Sequence, residues 1–156
     1  MTYKRFEDLP VWQAADSLAR RVYDLVDDRV FSNKGDVRNQ LQRAALSISL
    51  NIAEGFERGT KNELLNFLYI ARGSAGEVRA ALRFCEKSAW AVHRGPTVGE
   101  LIEASIGISR QLGGWIDRLK NSEIKGQRYL TDATRHVYEQ RKRETALKQN
   151  MREVPD

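Results

Sequence analysis

The stretch Ser49-Leu50-Asn51-Ile52-Ala53-Glu54-Gly55 places an amide and a carboxylate at the end of an apolar run. A carboxylate at such a spot can serve as a general acid or base, and Glu77 offers a possible second one. Catalysis also demands a cleft, a nucleophile and a suitable pKa, and the neighbouring residues supply no such company. The other use for these groups is packing. A polar side chain beside an apolar seam usually has a partner, and a satisfied one fixes register. If the segments on either side of Gly59 form a helical hairpin, Asn51 comes level with Tyr69 and Arg43 with Glu77. Glu54 lies one turn before Arg58, the favourable order for an i,i+4 ion pair. Arg43, Asn51, Glu54, Tyr69 and Glu77 are therefore expected to be structural polar groups, and no residue is assigned a catalytic role.

Other chemistry-bearing residues are few. His93 and His136 are the two histidines, and neither has a ligand at recognised metal spacing. The single cysteine, Cys85, falls on an apolar stripe and reads as a small core thiol. It has no base in view to make it a nucleophile. No Walker loop or GxGxxG fingerprint occurs. Gly73-Ser74-Ala75-Gly76 spells the GxxG of an RNA clamp, but it sits inside a helical pattern, where close helix approach is the expected reason for two glycines. Trp12 and Trp115 fall on stripes and are expected in the core, whereas Trp90, near a helix end, is a candidate subunit contact or stacking platform. No cofactor, metal or small-molecule substrate is expected.

The elements that would hold these residues are helices. The first is expected from about Leu9 to about Val30, capped by Asp8, with Pro10 in its first turn and Trp12, Ala15, Ala19, Val22 and Val26 at helical spacing. The second starts near Asp36 and carries Leu41, Ala44, Ala45, Ile48, Ile52 and Phe56, with Gly55 or Gly59 as a C-terminal cap. Thr60-Lys61-Asn62-Glu63 is a capping box for a third helix, expected to reach about Val92. After Arg94-Gly95-Pro96, Thr97 is expected to cap a fourth, with Leu101, Ile102, Ser105, Ile108, Leu112, Trp115, Ile116 and Leu119 as its stripe. Four amphipathic helices with short connections predict an all-α, antiparallel up-and-down four-helix bundle over residues 1–122.

Residues 123–156 differ in character. Their apolar positions are sparse, and eight basic side chains face six acidic ones, a net charge of +2 against +3 for the body. They are expected to form a basic C-terminal extension, a loop followed by a helical arm capped at Thr131 or Asp132. Lys125, Arg128, Arg135, Arg141, Lys142, Arg143 and Lys148 are its candidate phosphate contacts. The alternative is a solvated, mixed-charge helix.

The whole chain has 156 residues and a net charge of +5, with a pI near 9.5. That balance suits an acidic partner without requiring one. No apolar run approaches the roughly 20 residues of a membrane span, no signal-peptide core follows the first residues, and the lone thiol fits a reducing compartment. The expected location is the cytoplasm.

LQRAALSISLNIAEGFERG followed by FLYIARGSAGEVRAAL resembles the bacterial four-helix bundle family that includes proteins encoded in intervening sequences of 23S rRNA genes. FEDLPVWQAA and ISRQLGGWIDRLKNS share the resemblance, which covers about residues 6–122. The family pattern commonly has proline two residues before the asparagine; Ser49 stands there, so a softer kink is expected. The resemblance implies a homopentamer. It also implies likeness in fold to the accessory protein of diversity-generating retroelements, a basic pentamer that assists a reverse transcriptase and binds nucleic acid. The expected function is a non-catalytic ring presenting basic surface to RNA or a nucleoprotein partner. The alternative is a protein-binding scaffold, for a reverse transcriptase for example, without direct nucleic-acid contact.

Overall fold

The computed structural model describes residues 3–122, which form four helices in an antiparallel up-and-down bundle: α1 (Pro10–Val26), α2 (Gly35–Glu57), α3 (Lys61–Glu86) and α4 (Gly95–Lys120). Each helix packs on the next, and α1 closes the bundle against α4. Among the described residues there is no strand. The apolar stripes converge on one core in which Leu41, Ile48, Ile52, Leu64, Leu68, Leu82, Leu101 and Leu112 are sealed from solvent. Burying such side chains contributes about 1.5–3 kcal/mol each, which is what drives the four stripes together.

The expected helix limits hold in the interior and shift at three ends. Asp8 does not cap α1. It belongs to a short 3-10 turn, Phe6–Asp8, and the helix starts at Pro10 with Leu9 as N-cap. The first helix stops at Val26 rather than Val30, because the Asp28 carboxylate accepts the Val30 N–H at 3.0 Å and caps a second 3-10 turn, Arg29–Phe31. That turn drops Phe31 into the core.

The third helix likewise ends at Glu86, not Val92. The Ser88 hydroxyl donates to the Phe84 carbonyl at 2.8 Å, and a third 3-10 turn, Ala89–Arg94, follows. This turn buries Ala91 and lays Trp90 edge-on against Phe31, ring centroids 5.2 Å apart, with the Lys34 ammonium 5.7 Å from the indole. Trp90 is thus half-buried and plugs one end of the bundle, where an exposed platform was expected. The turn runs straight into α4, so Thr97 lies inside that helix and caps nothing.

Thr60 behaves as its sequence predicts. Its hydroxyl oxygen accepts the Glu63 N–H at 3.3 Å while its O–H donates to the Glu63 carboxylate at 2.7 Å. Gly55 is not a cap. It lies within α2, buried, where a Cβ would come 2.7 Å from Phe67 Cβ and 3.2 Å from Leu64 Cδ1. The close helix approach expected at Gly73 and Gly76 therefore occurs at Gly55 instead. A Cβ at Gly73 or Gly76 would meet nothing within 4 Å.

Candidate functional site

Asn51 and Glu54 both have bonded partners within the bundle. The Asn51 amide donates to the Ser47 carbonyl at 2.7 Å and to the Ser47 hydroxyl at 3.0 Å. The Ser47 hydroxyl in turn shares a 2.9 Å hydrogen bond with that of Ser74. The two hydroxyls thereby link α2 to α3, and the Asn51 amide braces the Ser47 hydroxyl from within α2. The expected Asn51–Tyr69 and Arg43–Glu77 contacts do not form. The levels along the hairpin agree with expectation, but the angular positions do not. Tyr69 turns toward α4, where the Lys120 ammonium lies 5.3 Å from its ring. Glu77 instead accepts a hydrogen bond from Gln40 at 2.9 Å. Arg43 is exposed and makes no ion pair among the described residues.

Glu54 is exposed and holds Arg58 at 2.5 Å, as its spacing predicts. Arg58 also reaches the Glu63 carboxylate at 4.0 Å and lies 5.1 Å from the Phe67 ring centroid. Its guanidinium pKa is raised, first by the hydrogen bond to Glu54. Glu54 thus belongs to a cluster that organises the α2–α3 turn. Glu77 bonds to Gln40, 14 residues before Glu54 on α2. At 1.5 Å per residue that separates the two carboxylates by about 20 Å along the hairpin, so they do not form an acid–base pair. Ser49, at the position where the family pattern commonly has proline, is buried and donates to the Leu46 carbonyl at 3.1 Å.

Cys85 is buried in the core, as expected, and loss of hydration pushes its thiol up to about 11. His93 is exposed in the third 3-10 turn. Among the described residues, no group of three or more His, Cys, Asp or Glu side chains gathers to hold a metal ion, and no helix is long and apolar enough to cross a membrane.

The candidate phosphate contacts Lys125, Arg128, Arg135, Arg141, Lys142, Arg143 and Lys148, and the expected arm that carries them, lie outside the described residues. Within the bundle, cations gather along the C-terminal half of α4. Arg110 and Arg118 are exposed and make no ion pair among the described residues. Arg72 crosses from α3, its guanidinium carbon 3.6 Å from where a Cβ on Gly113 would stand. Lys120 lies within the electrostatic reach of Arg72 and Asp117, and its pKa is raised chiefly by a hydrogen bond with Tyr69.

A groove of about 880 Å³ borders this strip. Leu9, Val11 and Phe56 are among its apolar walls, Trp115 and Tyr3 add aromatic surface, and Arg110 and Arg118 line it beside Gly114. The spacing of helix four hints at the cations, since Arg110 and Arg118 flank the Gly113-Gly114 pair. Nothing in the linear pattern announces the groove. Its walls come from the N-terminal segment, the end of α2 and the end of α4.

A family model described as 23S rRNA-intervening sequence protein matches residues 7–112. Among solved structures, the chain is similar to a crystal structure of a protein with unknown function from the S23 ribosomal protein family of Bacteroides thetaiotaomicron. The two are 21% identical with a TM-score of 0.60, over 68% of this chain and 97% of that one. At that identity the likeness speaks for the fold alone. No match was found among curated proteins.

Proposed function

The chain belongs to the family of 23S rRNA-intervening sequence proteins, and from that premise we propose that it works without catalysis, as a self-associating bundle that presents basic surface to RNA or a nucleoprotein partner in the cytoplasm. A ring of five is the assembly its resemblance implies. The observation that carries the self-association is the outer flank of the α2–α3 pair. Leu46 and Leu50 project from α2, and Ile70 and Phe84 from α3, with Leu50, Ile70 and Phe84 each at least 50% exposed. Leu50 and Ile70 come level across the hairpin that Ser47 and Ser74 fasten. Clustered apolar side chains of this size mark an interaction face more often than scattered ones do. Gly73, where a Cβ would meet nothing within 4 Å, lies less than one turn from Ile70.

The nucleic-acid part of the reading rests on the family's description and on the net charge of +5, which multiplies in an oligomer. Size-exclusion chromatography with light scattering tests both parts, run with and without total RNA at about 50 and about 200 mM salt. The expected result is a mass of several subunits, near five, that grows with RNA at low salt and falls back at high salt. A monomer indifferent to RNA overturns the reading. The scaffold alternative draws on the same apolar flank, and a partner protein retained after nuclease treatment would favour it.

A further inference from the structure

We infer that the groove beside the C-terminal half of α4 is a binding site for single-stranded RNA, taking a nucleobase against Trp115 and Tyr3 and flanking phosphates on Arg110 and Arg118. This rests on the RNA-binding reading above and gives it a location within the bundle, separate from the basic C-terminal extension.

Three observations converge on the assignment. The first is shape and lining: the groove combines apolar and aromatic walls with two guanidinium groups, and Tyr3 keeps 41% of its surface exposed. Sequence-tolerant binding of single strands uses this combination, with aromatic faces for bases and a cationic track for the backbone.

The second is charge. Among the described residues Arg110 and Arg118 are exposed without a carboxylate partner, as are Arg29, Arg43, Arg72 and Arg79, but Arg110 and Arg118 are the ones that line the groove. Arg72 and Lys120 add positive charge on the side of α4 that faces α3, with Asp117 the acid near Lys120. Arg110 and Arg118 stand eight residues apart on α4. That is about 12 Å of helix, room for both guanidinium groups to meet phosphates of one strand.

The third is access. A Cβ at Gly114 would meet nothing within 4 Å, so the helix backbone stands open between the two arginines. Glycine within a helix is costly relative to alanine. At this position its bareness lets a ligand approach the helix closely.

The test is fluorescence anisotropy of the full-length chain with a labelled oligouridine across a salt series. Arg110→Gln combined with Arg118→Gln is expected to weaken binding about tenfold or more and to flatten the salt slope by about 1.4, the share of two single-strand phosphate contacts. Tyr3→Ala is expected to weaken binding severalfold. An abasic strand of equal charge is expected to bind at least about tenfold more weakly than oligouridine.

Arg29→Gln combined with Arg43→Gln, a pair remote from the groove, is the control and should leave binding nearly unchanged. If the control pair costs as much as the groove pair, the site is overturned while RNA binding itself stands. If the abasic strand binds equally well, the base pocket is overturned. If the native chain binds no oligouridine even at about 50 mM salt, the broader reading fails together with the site.

Discussion

Helix α3 makes two seams, and they are built differently. Against α2 it is fastened by the Asn51–Ser47–Ser74 chain and by the close fit of Gly55 under Phe67. The outer flank of that pair is apolar. Against α4 it lays the Arg72 guanidinium over Gly113 and sets the Tyr69 ring beneath Lys120. The outside of that seam is cationic.

Charge also differs between the first and second halves of the bundle. Six bases face seven acids over residues 10–57, whereas nine bases face six acids over residues 61–120. One seam is specified by shape and hydrogen bonds, which leaves its outside free to be greasy. The other is held mainly by core burial, which leaves its rim free to carry charge. On the function proposed above, a single bundle would in this way keep contacts with its own kind and contacts with polyanions on separate surfaces.

The sharpest way to break the contrast is to crowd the tight seam. Gly55→Val forces carbon into space occupied by Phe67 and Leu64, and it is expected to cost about 3 kcal/mol in urea unfolding. An insertion of similar size at Gly73 or Gly76 meets open space.

The next effect is on pH dependence, at Cys85 near the C-terminal end of α3. Its folded pKa, about 11, is raised above the ordinary 9.0. Stability from this group is therefore complete below pH 9 and is lost as pH climbs through about 11, a decline of about 2–3 kcal/mol. Cys85→Ala should remove this part of the slope in unfolding measured between these limits.

Removing the polar fastening is milder. Asn51→Ala leaves the Ser47 carbonyl its helical partner and the Ser47–Ser74 bond in place but removes the amide that donates to the Ser47 hydroxyl, and about 1 kcal/mol is expected in the same assay. Opposite in sign, Gly73→Ala and Gly76→Ala should each stabilise the fold by about 0.5–1 kcal/mol, read from the denaturation midpoint. Smallest in folding energy is Leu50→Asp combined with Ile70→Asp, expected within about 0.5 kcal/mol per site because both side chains face outward. That pair should nonetheless split the assembly seen by light scattering. An intact oligomer would move the self-association face away from the α2–α3 flank.

What could be read in the sequence was what depends on near neighbours. The capping box at Thr60 and Glu63 and the Glu54–Arg58 pair are set by residues three and four apart, and both form as expected. The apolar stripes give the bundle because helical periodicity is a local property. Tyr69 was misplaced because hairpin register gives a level but not an angle, and the angle turns this ring toward α4. The early stops of the first and third helices escaped for a related reason. Burial of Phe31 and Ala91 against distant helices favours 3-10 turns there over further α-helix. The α4 groove was least legible, since Tyr3 and Phe56 meet Arg110 and Trp115 only after the chain has folded back on itself. The Ser47–Ser74 bond is not legible in the sequence, because serine beside an apolar stripe carries no local signature.

The hydroxyl-to-hydroxyl bond between Ser47 and Ser74 also works as a vernier. Were one helix to slide a full turn past the other, the two hydroxyls would lose each other, and Gly55 would surrender its notch to a different neighbour. Only a single alignment escapes both penalties, so the hairpin carries its own proofreading before its two outer companions dock.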